Sequence, residues 1–366
     1  MPTVGDIVAS MEAWAPPGYA YDWDRVGLQV GDARTPVERV LVCLTPNEEA
    51  LAAARKAKAQ LVVAHHPIIF KPLSTLTAGN PAARLCLQYH EAGIAVFTAH
   101  TNLDVAAKGV SHALAKRLGL ENTHPLFPAE HSPQYKLITF VPESHLDPLR
   151  RAVCEAGAGV IGDYTQCSFS VAGEGTFVPG SNADPYSGEK CELNREPERR
   201  LESVVNKARV RQVVKALYEA HPYEEPAHDL LPLANQDTNI GLGVVGDLPA
   251  AMGQDAFAAH VREALGCKTA RIVRSNVKNI RRVAVLGGSG GGDIGRIPPD
   301  VDCYVTGDVK YHEADLARSR GLCVIDAGHV ATELPILPDV AEYLKKKHPG
   351  IKATVYLEAD PFSPIG

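Results

Sequence analysis

Short apolar runs followed by amphipathic stretches recur in two parts of the chain. In the first, Val40-Leu41-Val42-Cys43-Leu44 leads into a helix-like stretch from Glu48 to Lys58, and Leu61-Val62-Val63-Ala64 leads into His65-His66-Pro67. A helical pattern from Pro81 to Ala92 follows, then Ile94-Ala95-Val96-Phe97, then a helical pattern from Val110 to Leu118. Apolar strands of four or five residues alternating with amphipathic helices predict β-α units around a buried, mostly parallel sheet. The second part, Arg282 to Asp360, repeats the order. Val283-Ala284-Val285-Leu286 enters a glycine-rich run, Cys303-Tyr304-Val305 enters Thr306-Gly307-Asp308, and Leu322-Cys323-Val324-Ile325 enters Asp326-Ala327-Gly328-His329. The likeness of the two parts is one of pattern and predicts two related halves.

Between them the rhythm changes. Pro125 to Pro133 reads as a turn-rich join. Lys136 to Val141 reads as a strand, Leu146 to Ala156 as a helix, and Tyr164 to Phe177 as a strand or hairpin. Asp184 to Pro197 reads as a loop, Glu198 to Val205 as a strand, Val210 to Ala220 as a helix and Glu225 to Leu233 as a strand. The order β-α-β-β-α-β is that of a ferredoxin-like domain. Gly241 to Leu248 and Ala270 to Val273 then read as strands flanking a helix from Asp255 to Leu265. The expected fold class is α/β: two related three-layer α/β halves forming one core, residues 1–131 and 234–366, interrupted by a ferredoxin-like α+β insert at 132–233.

Composition narrows the class. The 366 residues are too many for one ordinary domain. With 45% hydrophobic and 22% charged residues, the chain has globular composition. No apolar run reaches the roughly 18 residues a membrane helix needs, so no membrane partner is expected. The first fourteen residues carry Asp6 and Glu12 without a basic cluster, unlike a secretory signal. Thirty-seven basic against 43 acidic residues give a net charge of -6, which disfavours nucleic acid as a partner. The eight cysteines are scattered without a C-x-x-C, a pattern of reduced thiols in a cytoplasmic protein.

The candidate chemistry lies after the apolar runs, where open α/β sheets place their ligands. His65 and His66 are adjacent, and neighbouring side chains on a regular strand point to opposite faces. They serve one site only if the strand has ended, which Pro67 favours; the plainer use is one buried and one solvent-facing histidine. Asp104 closes Thr98-Ala99-His100-Thr101-Asn102-Leu103-Asp104, where Asp commonly caps a helix or a turn. His100 and Asn102 either orient a ligand or satisfy loop backbone. His329 and Glu333 stand four apart and share a face if helical, although Pro335 and Pro338 interrupt the segment. Together these positions offer three imidazoles and two carboxylates. That exceeds one tetrahedral site and suits two ions about 3.5–4 Å apart. Without a thiolate in the set, Zn, Mn or Fe is expected.

Three further features are open. Gly287 to Gly292 is neither a phosphate-binding P-loop nor a dinucleotide fingerprint, since Asp293 stands where the last glycine would be. It reads equally as an anion-binding backbone or a flexible turn. His312, after Asp308, is a candidate acid/base with an imidazole suited to neutral pH, or a structural histidine at a helix start. Arg25, in Asp22-Trp23-Asp24-Arg25-Val26-Gly27-Leu28, either meets a phosphate or pairs with Asp22 or Asp24.

As an ordered set, Ala64-His65-His66-Pro67, His100-Thr101-Asn102-Leu103-Asp104, Gly307-Asp308 with His312, and Gly328-His329-Val330-Ala331-Thr332-Glu333 resemble the Nif-three-like dinuclear metal-centre proteins, also called GTP cyclohydrolase I type 2 homologues. The resemblance covers about residues 1–127 and 235–366. The middle segment resembles the PII/CutA-like insert of longer members. The resemblance implies that His65 and Asp104 bind one metal, that His66 and His329 bind the other, and that Glu333 bridges them. It also implies a toroidal homohexamer with the metal sites facing an internal cavity, a ring that a ferredoxin-like insert could cap by associating in threes. The family usually carries Asp-Asn-Val-Gly-Leu where this chain has Asp24-Arg25-Val26-Gly27-Leu28. The expected function is a dinuclear-metal-dependent hydrolase acting on a nucleotide-type substrate, with two divalent ions per chain and His312 moving protons. The alternative is a non-catalytic metal-binding scaffold or regulator with a ligand-sensing insert.

Overall fold

A computed structural model of the chain describes residues 1–129, 133–162 and 164–363. The fold is mixed α/β with three sheets, in two compact units: Met1–Pro128 with Asn239–Gly366, and Ala129–Thr238. In the first segment come α1 (Val4–Trp14), β1 (Gly27–Val30), β2 (Arg39–Cys43), α2 (Glu48–Ala57), β3 (Leu61–Ala64), α3 (Pro81–Glu91), β4 (Ala95–Thr98), α4 (Thr101–Val105), α5 (Val110–Arg117) and β5 (Glu121–Pro128). The second unit holds β6 (Pro133–Pro142), α6 (Leu146–Glu155), β7 (Ser168–Phe177), β8 (Asn194–Asn206), α7 (Val210–Ala220) and β9 (His228–Gln236). The returning segment has β10 (Gly241–Gly253), α8 (Gln254–Leu265), β11 (Arg271–Val273), β12 (Asn279–Ser289) and β13 (Cys303–Gly307). It continues with α9 (Tyr311–Arg320), β14 (Cys323–Asp326), α10 (His329–Glu333), α11 (Ile336–Lys347) and β15 (Lys352–Val355).

The first unit contains two sheets. One runs β1-β4-β3-β2-β15, with β15, β2, β3 and β4 parallel and β1 antiparallel. The other runs β11-β14-β13-β12-β10-β5, with β12, β13 and β14 parallel. Each sheet takes an edge strand from the far side of the insert: β15 joins the first and β5 the second. The parallel strands are buried on both faces, which is why they read as continuous apolar runs. Val40, Val42, Leu61, Val63 and Phe97 pack with α1, α5 and α11, while Leu41, Cys43, Val62, Ala64 and Val96 pack with α2 and α3. Each large side chain buried in this way contributes roughly 1.5–3 kcal/mol.

Two segments differ from the sequence reading. Pro125 to Pro133 was expected to be a join, yet β5 runs through Pro125 to Pro128 and pairs with β10. It is an edge strand, where a missing N–H can face away from the ladder; residues 130–132, where the limit at 131 falls, lie outside the described residues. The expected loop from Asp184 to Pro197 ends sooner, because β8 starts at Asn194 opposite Phe177. Cross-strand pairing there extends a stretch too polar to read as a strand.

The second unit has strand order β7-β8-β6-β9, antiparallel throughout, with α6 and α7 packed against it. Leu137, Val141, Leu201 and Val205 on the sheet meet Leu149 and Val153 of α6 and Val213 and Leu217 of α7. Among the described residues no helix is long and apolar enough to cross a membrane.

Candidate metal centre

The carboxyl ends of the parallel strands of both sheets in the first unit meet at one place. β3 ends at Ala64, and the next two backbone N–H groups donate to Cys43 and Leu44 carbonyls at 2.8–3.1 Å. The strand therefore turns before Pro67, and the rings of His65 and His66 approach on one side, with centroids 5.1 Å apart. β4 leads through His100 into the five-residue α4, which carries Asp104. β14 leads into α10, another five-residue helix, where the four-residue spacing puts His329 Nε2 3.2 Å from Glu333 Oε1.

Glu333 sits at the middle. His66 Nε2 lies 3.0 Å from its Oε2, His65 Nε2 3.6 Å from its Oε1, and His329 Nε2 3.4 Å from His66 Nε2. Asp104 Oδ1 is 3.7 Å from His65 Nε2. All five residues singled out in the sequence are thus brought together, with His65 beside Asp104 and His66 beside His329. His100 stands next to them, its ring centroid 5.3 Å from that of His65.

Each imidazole is held from behind through Nδ1. His65 donates to the Ala99 carbonyl at 2.8 Å, and His66 meets Thr45 Oγ1 at 2.9 Å. His329 meets Asp308 at 2.7 Å and His100 meets Asp24 at 2.8 Å. Thr45 is held in turn by Glu358. A carbonyl or carboxylate behind the ring fixes the Nδ1–H tautomer and leaves an Nε2 lone pair at the front, the arrangement that precedes metal ligation.

Despite this crowding, His65 Nε2 is buried and makes no hydrogen bond among the described residues, and Glu333 Oε2 is buried with its 3.0 Å approach to His66 Nε2 falling short of one in geometry. A buried polar atom left unsatisfied costs roughly 1–3 kcal/mol, and a cation held by these residues would remove that cost. Burial works against the Glu333 carboxylate, but the three imidazoles hold it well below the usual carboxylate range. Burial likewise pulls His65 down, and Asp104 and Glu333 more than offset it, holding the imidazole up at about 9. His329 is raised to about 9, chiefly by its bond to Glu333. Burial pushes Asp104 up to about 6. The cluster thus demands positive charge, from protons or from metal. Ligand atoms of His66, His329 and Glu333 all lie within 4.8 Å of one another, as do those of His65, His66 and His100. The donors fit divalent ions of the Zn, Mn or Fe kind.

The glycine run packs against this cluster. A Cβ on Gly288, whose φ is +72°, would stand 2.2 Å from Glu333 Oε1. The N–H groups of Gly287, Gly288 and Gly290 donate to Ser111, Thr332 and Thr306, so they are not free for an anion. Asn102 donates to the Ala15 carbonyl at 2.7 Å, which is its backbone use. The Arg25 guanidinium donates to the main-chain carbonyls of Asp22 and Asp24, and its main-chain N–H donates to the Asp24 carboxylate. His312 is exposed at the start of α9, stacks edgewise on Tyr311, and takes no part in the hydrogen bonds and ion pairs of the cluster.

A sequence model of the Duf34/NIF3 (NGG1p interacting factor 3) family matches residues 2–361. The chain belongs to the Duf34/NIF3 family. Relatives named GTP cyclohydrolase 1 type 2 homolog are 39% identical over 324 residues in Halalkalibacterium halodurans and 39% over 329 residues in Bacillus subtilis. They cover 88% and 90% of this chain, and 87% and 88% of the relatives. The solved structure of a Bacillus cereus protein related to NIF3 is 37% identical, with a TM-score of 0.84 over 100% of this chain and 99% of that one.

In this Duf34/NIF3 chain sequence reasoning gave no ring-supporting role to the residues behind the clustered imidazoles: Thr45, Asp24, Asp308 and Glu358. Asp24 is buried, and burial opposes its charge, but His100, Thr101 and the Arg25 N–H keep it ionised well below the usual carboxylate range. Its signal was partly available. A carboxylate between Trp23 and Arg25 needs a partner if buried, and Arg25 is the neighbour the sequence offers, but only the fold shows that His100 supplies one. Asp308 has φ +56°, a conformation unusual outside glycine that turns its carboxylate toward His329.

Proposed function

We propose that the chain is a dinuclear-metal-dependent hydrolase acting on a nucleotide-type substrate. The observation that carries the reading is the ring of back-anchored imidazoles around a buried, incompletely bonded Glu333. His65 with Asp104 would hold one ion, His66 with His329 the other, and Glu333 would reach both. When bound, the ions supply Lewis acidity and water activated near neutral pH. The chain's own residues fix the geometry: Ala99, Thr45 and Asp308 set the three ring orientations, and Gly288 lets the Glu333 carboxylate in. His312 is proposed to move protons from the exposed start of α9.

The nucleotide-type substrate draws on the relatives' name, GTP cyclohydrolase 1 type 2 homolog. The homohexamer is part of the same proposal. So is a ferredoxin-like, PII/CutA-like character for the second unit, which its β-α-β-β-α-β order and strand order support.

Elemental analysis of gently purified chain, then reconstituted with Zn, Mn and Fe, tests the centre. Two ions per chain are expected, and one or fewer would remove the dinuclear reading. Turnover of GTP and phosphodiesters on the same preparations tests hydrolysis.

A second reading has an observation of its own. The second unit holds an open cavity of about 740 Å³ lined by Phe140, Phe177, Tyr186, Glu198 and Tyr223. That favours a scaffold or regulator whose insert takes a small ligand, in which case metal binds and nothing turns over.

A further inference from the structure

Three aromatic rings stand exposed beside the metal centre. Tyr21 and Trp23 are stacked, with centroids 5.6 Å apart and planes 7° from parallel, and Phe70 meets Trp23 edge-on at 6.0 Å. They are 38%, 55% and 48% exposed, against an interior in which Phe97 and Tyr89 are fully covered. The rings do not hang on a loose loop. Tyr21 N–H donates to Thr101 Oγ1, Asp24 N–H donates to the Tyr21 carbonyl, and Thr101 and His100 both bond the Asp24 carboxylate. Gln29 in β1 exchanges two hydrogen bonds with the backbone of Ile69, next to Phe70. Trp23 lies edge-on to His100, and His100 to His65 and His66, so one histidine ring separates the shelf from the centre.

We propose that Tyr21, Trp23 and Phe70 form a stacking shelf for the base of a nucleotide, a subsite that rests on the hydrolase reading above. Large aromatic faces kept in water by a rigid frame suit a planar heteroaromatic ring, because stacking needs a flat face and no particular hydrogen bond. Charge on the same two segments agrees. Arg25 follows Asp24 on the Trp23 segment, and among the described residues its guanidinium donates through Nη1 alone, while Lys71 follows Phe70 and is exposed. Both cations can meet an anionic substituent. Asp22 is the opposing exposed carboxylate, and Asp24 is buried among donors.

The test is binding of GMP, ribose 5-phosphate and inorganic phosphate to the full chain by calorimetry and tryptophan fluorescence. The chain has two tryptophans, and Trp14 is packed on Tyr343 with its indole N–H on the Ala107 carbonyl. Quenching by GMP therefore reports Trp23. GMP should quench and the two base-free probes should not. Trp23→Ala should weaken GMP about tenfold or more, as loss of one base-stacking ring does. Trp23→Phe should recover most of the affinity, and neither variant should change binding of ribose 5-phosphate. Phe70→Ala, on the other segment, is the second variant should Trp23→Ala misfold. Absence of saturable GMP binding, or GMP affinity unmoved by removing either ring, overturns the shelf. A change in sedimentation mass with unmoved GMP affinity also overturns it and makes the rings a contact between copies. Metal content on the same samples separates the two ideas: a metal-loaded chain indifferent to ring loss leaves the centre standing and removes the shelf.

Discussion

Glu333 is the residue on which the centre turns, because it faces three imidazoles at once. Glu333→Gln keeps the shape, removes the charge and leaves one carbonyl oxygen, a poor bridge between two cations. Bound metal should fall, and turnover should drop by roughly a hundredfold or more, as misplaced catalytic geometry costs; an unchanged metal count and rate would refute the bridging role. Asp308 acts one step back, through His329 Nδ1. Asp308→Asn isolates the charge, since Asn tolerates the same left-handed backbone. Metal affinity should fall by about 10–100-fold, the usual effect of losing a group that orients a ligand. An affinity titration with Zn reads it. His312→Ala should leave both ions in place, because the ring stands outside the cluster. If the rate is also unchanged, the proton-transfer role is gone; if metal is lost, the ligand set is incomplete.

At the scale of elements, the glycine run is a matter of close approach. Gly288→Ala would bring a methyl to 2.2 Å from Glu333 Oε1 at a φ that L-residues seldom adopt. It should therefore lose metal while the fold, read by circular dichroism, persists. A variant that binds two ions normally would show that Glu333 has room to move. The same run shows how much of the molecule the chain displays by itself. β2, β3, β4, β13 and β14 are legible because burial on both faces removes polar positions from them. The strand ends carrying His65, His66, His100 and Asp104 are legible for the same reason: polarity resumes abruptly there. β5 is not, since two prolines suppress a strand signal that only an edge position tolerates. Nor is α11, where Pro335 and Pro338 suggest a break; proline in a first turn leaves helix geometry intact. The supporting groups behind the imidazoles are hidden for a different reason. Ala99 contributes a main-chain carbonyl, which has no sequence signature, and Thr45 and Asp308 meet their histidines only through the third dimension.

At the scale of the whole molecule, all five proposed ligands belong to the first unit, and the second contributes none. Replacing residues 129–238 by a short Gly/Ser linker should leave a soluble chain that binds metal with the same stoichiometry. A folded deletion that has lost its metal would mean that the second unit completes the site. β15 and β5 also set the order in which the protein can be made. The second unit is contiguous, so its sheet can close while synthesis continues. The first sheet cannot, because β2 waits for β15, about 300 residues later, which is roughly 15–60 s at about 5–20 residues per second. His329 and Glu333 emerge late as well. A nascent chain therefore carries His65 and His66 for most of its synthesis without the carboxylate that organises them, and with the β2 edge open to stray pairing. The insert can fold early, while the core is unfinished, and the proposed metal loading would wait for the end of that interval.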